Sequence, residues 1–367
     1  MIATPRSPRS LIRRRFAVIA ALTAFGLGAC NDASNPAASF DPTDASQATN
    51  AVLSVFAANP ALDALGVLES ALPGFTPPPA PPAGDLPLPA GSALADLRVL
   101  DRLFSFPSPS ESAVLFPADL LGATLVYNPA TGQYEVDPAA TGAPANGIRI
   151  VLYAVDPVFH SPVEPLSAVG HLDLTDESTA AADQVGILAV LGDVTYIDYH
   201  GSATVLTDGV TFAALGYFSD GTTVVNFDLS QSWSSVDGFV LAYDVNAHAV
   251  DTPTAVTSIL AEVHLDPSME TASYALAVEH QGESVSLAVT GSATSLNGTV
   301  SHNGVTVAEV SGDPDNPVFT DGNGHPLTNE QIQALGLLFG SITAIISGFD
   351  VLLIPAYLVL QVTLAMV

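Results

Sequence analysis

From Ala123 to about Thr320 the chain is a succession of alternating apolar and polar runs cut by turn formers, and few folds accept that pattern. Val, Ile, Thr and Tyr recur with period two in 124–127, 147–153 and 223–229, as half-buried strands require. Between such runs stand Asn128-Pro129-Ala130-Thr131-Gly132, Thr207-Asp208-Gly209, Ser219-Asp220-Gly221, Gln281-Gly282, Asn297-Gly298 and His302-Asn303-Gly304. These steps supply the positive φ of tight hairpins. Roughly a dozen strands with short connections and no helical crossover predict an antiparallel meander and exclude a parallel sheet. Runs such as 255–265 allow strands of ~10 residues, above the usual length, so the sheet is expected to be large and strongly curved.

Helical periodicity is confined to the two ends of this region. Residues 45–72 space Val52, Leu53, Val55, Phe56, Leu62, Leu65, Val67, Leu68 and Leu72 by helical steps, with a break at Asn59-Pro60 that predicts a bent helical pair. At the other end, Thr328 followed three residues later by Gln331 forms a capping box. Beyond it Ile332, Leu335, Phe339, Ile342, Ile346 and Phe349 make an apolar stripe, and Gly336, Gly340, Ala344 and Gly348 a ridge of small residues. The uncharged segments 334–349 and 351–367 are 16 and 17 residues long, with Asp350 between them and Pro355 and Gln361 interrupting the second. Both fall short of the ~20 residues of a membrane span. They are expected to pack as C-terminal helices, about 328–367, against the concave face. The fold class predicted is therefore mainly β (α+β), a half-barrel-like curved sheet packed against an apolar C-terminal helix, with N-terminal helical segments.

The first thirty residues carry a different kind of information. Arg13-Arg14-Arg15 precede an apolar run of 14 residues, Phe16 to Ala29, which ends in Leu27-Gly28-Ala29-Cys30 and the chain's single cysteine. A positive n-region, a short apolar h-region and small residues before a cleavage point make a secretory signal. The L-G-A-C tetrad resembles the lipobox of bacterial lipoprotein precursors. That resemblance covers residues 1–30 and implies cleavage between Ala29 and Cys30, with lipid attached to the Cys30 thiol. Stable anchoring needs more than one acyl chain at ~0.8 kcal/mol per buried methylene, and a di- or triacylated cysteine provides it. The order expected along the chain is signal peptide (1–29), lipidated Cys30 and flexible tether (30–44), helical segment (45–72), Pro-rich linker (73–91) and β domain with C-terminal helices (92–367).

Removing the leader also changes the charge. Five of the eight basic residues lie before Cys30 and no acidic residue does, so the mature chain has Arg98, Arg102 and Arg149 against 37 carboxylates, a formal charge of 3 − 37, or −34. There is no lysine. Phosphate binding needs clustered cations, so nucleic acid is not an expected partner. At 48% hydrophobic and 12% charged residues the chain is nonetheless core-forming. With no second cysteine, packing alone must hold it together.

No H-E-x-x-H, G-x-S-x-G, phosphate loop or G-x-G-x-x-G is present. The eight histidines lack metal-ligand spacing, although His200 and His264 lie near Asp198 and Asp266 and are worth testing as a pair. Asp313, Asp315 and Asp321 concentrate oxygen ligands for a weak calcium site, without EF-hand register, and turn chemistry accounts for them better. Arg98 and Arg102, four apart in a helix-like stretch, share a face beside Asp96 and Asp101. No cofactor and no catalytic residue is predicted. The expected role is that of an exported cell-envelope protein, anchored through Cys30 in the outer membrane with its orientation left open. It would bind a hydrophobic molecule or lipid in the concavity of the sheet. The alternatives are a structural or adhesive envelope protein without a small-molecule ligand, and a hydrolase with a site assembled from distant strands.

Overall fold

The computed structural model describes residues 43–72, 115–156, 161–252, 257–268, 271–292, 294–313 and 316–365. Cys30, the Pro-rich linker, Arg98 and Arg102 lie outside these residues. Two helices, α1 (Thr43–Ala58) and α2 (Pro60–Ala71), precede the sheet. Its strands are β1 (Thr124–Asn128), β2 (Gln133–Val136), β3 (Gly147–Tyr153), β4 (Ala168–Asp176), β5 (Asp183–Leu191), β6 (Val194–Leu206), β7 (Gly209–Ser219) and β8 (Thr223–Ser234). They continue as β9 (Gly238–Ala249), β10 (Thr257–Leu265), β11 (Thr271–His280), β12 (Glu283–Ser292), β13 (Leu296–His302), β14 (Val305–Asp313) and β15 (Asn316–Asp321). Helix α3 (Asn329–Ala365) ends the described chain.

All fifteen strands form one sheet in nearly sequential order, and from β3 to β15 every neighbour pairs antiparallel. The sheet is open and curved like part of a barrel. One pairing departs from the predicted meander: β1 runs parallel to β3, with Leu125 opposite Ile150. The reason is local. The β1–β2 hairpin places β2 on the outer edge, so residues 129–146 serve as the crossover that parallel strands need. Hairpins elsewhere follow the turn residues. Asn303 and Gly304 both have positive φ, 50° and 77°, the type I′ geometry that matches strand twist. Both sheet edges are blunted, by the four-residue β2 and by Pro317 in β15.

Period-two alternation in β8–β10 gives strict alternation of burial: Val225, Phe227, Leu229 and Gln231, then Leu241, Tyr243, Val245 and Ala247, then Ile259, Ala261 and Val263 all face one side. The three helices cover that side. Asn59 caps α2 by accepting from the Ala61 N–H at 2.9 Å, with Pro60 at the first helical position, so the predicted bend is built as expected. Among the described residues no single helix is long and apolar enough to cross a membrane; α1 and α2 reach that composition only as a pair bent by 66°.

Helix α3 begins at the predicted capping box: Gln331 N–H donates to Thr328 Oγ1 at 3.3 Å and Thr328 N–H to Gln331 Oε1 at 2.9 Å. It then differs from expectation by running as one helix through Asp350 and Pro355. A helix-interior proline removes a backbone donor and normally costs ~3 kcal/mol. Here the sheet supplies contacts around it: Tyr199 Oη donates to the Leu352 carbonyl at 2.8 Å, and Gln231 Nε2 donates to Tyr357 Oη at 2.9 Å. A Tyr199→Phe variant, which leaves the ring in place, is expected to lose about 1–3 kcal/mol in chemical denaturation. Among the described positions of the small-residue ridge, one makes a close contact. A Cβ on Gly348 would meet the Phe56 ring at 2.9 Å, so glycine lets α1 approach, whereas Gly336 and Ala344 face outward.

Candidate functional site

The concave face, where an acyl ligand was expected, is occupied by the protein's own side chains. Phe349 of α3 is fully buried with its ring 5.2 Å from Phe56, 5.9 Å from Phe218, 5.2 Å from Phe227 and 5.3 Å from Tyr243. Farther along α3, the Tyr357 ring lies tilted with its centroid 4.7 Å from that of Phe212, and a Cβ on Gly201 would come within 2.8 Å of the Ala356 Cβ. Burial pushes the phenols of Tyr199, Tyr243 and Tyr357 up, so each serves only as a neutral hydroxyl. Gln231 Oε1 is the one polar side-chain atom of this contact region that is buried without a hydrogen-bond partner among the described residues.

The sheet does not bring the two singled-out histidines together. His200 lies on β6 and His264 on β10, four strand spacings apart, about 19 Å at ~4.8 Å per spacing. His200 instead holds Glu177 at 2.6 Å through Nδ1, and Thr175 and Gln184 donate to the same carboxylate. That is a base with an orienting acid, but the imidazole is half exposed on an open sheet face. Catalysis by such a pair needs a positioned nucleophile and a site that holds substrate.

Strand placement separates two of the three residues named for calcium. Asp313 pairs with Asn316 at one end of β15 and Asp321 ends the strand, some 17 Å away at ~3.4 Å per residue. Asp315 lies outside the described residues. Asp321 is spent on its own turn: it accepts from the Asn323 and His325 N–H groups at 2.8 and 2.9 Å, and these bonds, His325 first, hold its carboxyl below the usual range. Among the described residues no cluster of three potential metal ligands exists.

On the sheet face turned away from the helices the strands build a feature that periodicity alone did not reveal. A shallow groove of about 290 Å³ crosses β10–β13 near their hairpin ends. Four of its side chains lie directly opposite one another in register, His264 to Ser273, Ser273 to Thr290 and Thr290 to Asn297. His264 Nε2 donates to the Asp237 carbonyl at 2.9 Å, which leaves Nδ1 as the ring's acceptor when neutral. Two residues away on the same face, burial pushes the Glu262 carboxyl up and His264 draws it partly back. The signal in sequence was present, one polar residue at matching depth in four consecutive strands, but it is legible only once register is known.

No protein-family model matches this chain, and no curated protein or solved structure does so either.

Proposed function

We propose that the protein is a lipid-anchored component of the cell envelope whose self-filled half-barrel is a display scaffold, with the helix-free sheet face and hairpin ends as the working surface. The observation that carries this reading is the closed aromatic contact of Phe349 with Phe56, Phe218, Phe227 and Tyr243, which takes up the region a lipid-carrying concavity would need. Exposed apolar residues support the hairpin ends as part of that surface, at the rim of the helix-bearing face. Val205 (48% exposed) and Trp233 (39%) flank Val210 in one register row, and Val236 (69%) lies at the adjoining β8–β9 turn. A contiguous apolar patch of this kind marks an interaction surface. The L-G-A-C leader supplies the anchor, and a mature charge of −34 keeps the exported surface soluble.

Two measurements on the full chain test this. Cys30→Ser is expected to move the protein from the membrane fraction to the soluble one; retention on the membrane would overturn the anchor. Native mass spectrometry of the delipidated mature protein is expected to show no co-purifying lipid. A stoichiometric acyl species would restore the carrier reading.

A further inference from the structure

We infer that the β10–β13 groove is a binding site for a neutral, polyhydroxylated ligand, a short glycan. The inference rests on the scaffold reading for its biological setting, since it assigns a ligand class to the face that reading leaves displayed. Its basis is the row His264, Ser273, Thr290 and Asn297, which presents an imidazole acceptor, two hydroxyls and a carboxamide on four adjacent strands. The Ser273 hydroxyl both donates and accepts, the Thr290 hydroxyl accepts while donating to the Asn297 carbonyl at 3.5 Å, and the amide does each with a different atom, so the row can meet sugar hydroxyls whichever way they point. Three strand spacings of ~4.8 Å make it about 14 Å long, the span of a di- or trisaccharide.

The chemistry around the groove excludes other classes. Among the described residues no arginine lines it, the chain has no lysine, and the sole described arginine, Arg149, is on β3, seven strands from β10. An anionic ligand would therefore meet an acidic protein with no counter-charge. Among the described residues His264 is the only ionisable one in the lining, and they provide no ligand set of a metal site there. An acyl chain requires an enclosed apolar wall, which a hydroxyl-lined open groove does not provide. The backbone supports presentation: His264 is tied to the β8–β9 turn through Asp237, and Ser292 and Ser295 hydroxyls lie 3.0 Å apart at the groove's hairpin end.

The test uses the full-length protein and three neutral probes, cellotriose, maltotriose and N,N′,N″-triacetylchitotriose, with trigalacturonate as the anionic comparison. Saturation-transfer NMR and titration at millimolar concentration are expected to detect at least one neutral trisaccharide and not the anion. Thr290→Trp, which fills the groove, and Asn297→Ala, at an exposed position, are each expected to weaken that binding at least about tenfold, while Leu215→Trp on the same face leaves it unchanged. Unaltered circular dichroism and melting of the variants show that the fold is intact. Absence of binding by all three neutral probes, preference for the anion, or equal binding by Thr290→Trp and Asn297→Ala overturns the inference. None of these outcomes bears on where Cys30→Ser fractionates, so the two readings fail separately.

Discussion

Phe349→Ala is expected to lower folding stability by about 3–5 kcal/mol, the range for deleting a fully buried aromatic side chain. The ring is wholly buried and touches α1, β7, β8 and β9 at once, through Phe56, Phe218, Phe227 and Tyr243. Three of these neighbours stand on adjacent strands of one hydrogen-bonded sheet and the fourth on α1, so they cannot close together over the vacated space without bending the sheet. The void remains, and its cost adds to the lost transfer free energy. Phe349→Leu keeps most of the volume and is expected to lose less than half as much. Denaturant titration reads both, with the midpoint falling and the slope unchanged. A loss under about 1 kcal/mol for the alanine variant would mean that α3 shifts to refill the site. The concave face would then be adaptable enough to accept a ligand, which would weaken the scaffold reading together with the stability claim.

How much of this was legible in the residues depends on the range of the interaction. Turns and caps were visible because their causes are local: Asn303-Gly304 demands positive φ, Asn59-Pro60 ends one helix and starts another, and Thr328 with Gln331 satisfies its own backbone donors. The continuous α3 was not, because Pro355 reads as an interruption unless Tyr199 and Gln231, more than a hundred residues earlier, are known to stand opposite it. The parallel β1–β3 pair was missed for a related reason. Nothing in Gln133–Val136 says on which side of β1 it will lie. The groove depends on register across four strands, and one residue of slip would send His264 to the helix side. Local chemistry thus predicts elements, while the site is a product of alignment.

The same dependence on alignment makes Arg149 the second sensitive position. Its Nε and Nη2 each donate to an Asp173 carboxylate oxygen at 2.7 Å, a two-point contact between directly opposed residues of β3 and β4. The side chains are only 23% and 12% exposed, so the partners exclude much of the water that would otherwise solvate them. The bonds to Asp173 outweigh burial and raise the guanidinium's already high pKa, so it stays charged throughout the accessible pH range. His171 lies 3.8 Å from the same carboxylate but cannot replace it: burial, with Arg149 alongside, holds the imidazole below its usual range. Arg149→Met therefore strands a carboxylate on a largely desolvated strand. The expected loss is about 2–3 kcal/mol at neutral pH, somewhat below the full cost of breaking a buried pair because the guanidinium is partly exposed. Adding Asp173→Leu removes the stranded charge, and the double variant is expected to recover most of that stability, since paired burial of two ions gains little over well-packed apolar groups. A double-mutant cycle followed by denaturant titration measures the coupling. If Arg149→Met alone costs nothing, water reaches Asp173 freely, and the pair is a surface contact that fixes neither the register of β3 on β4 nor the position of β1 beside it.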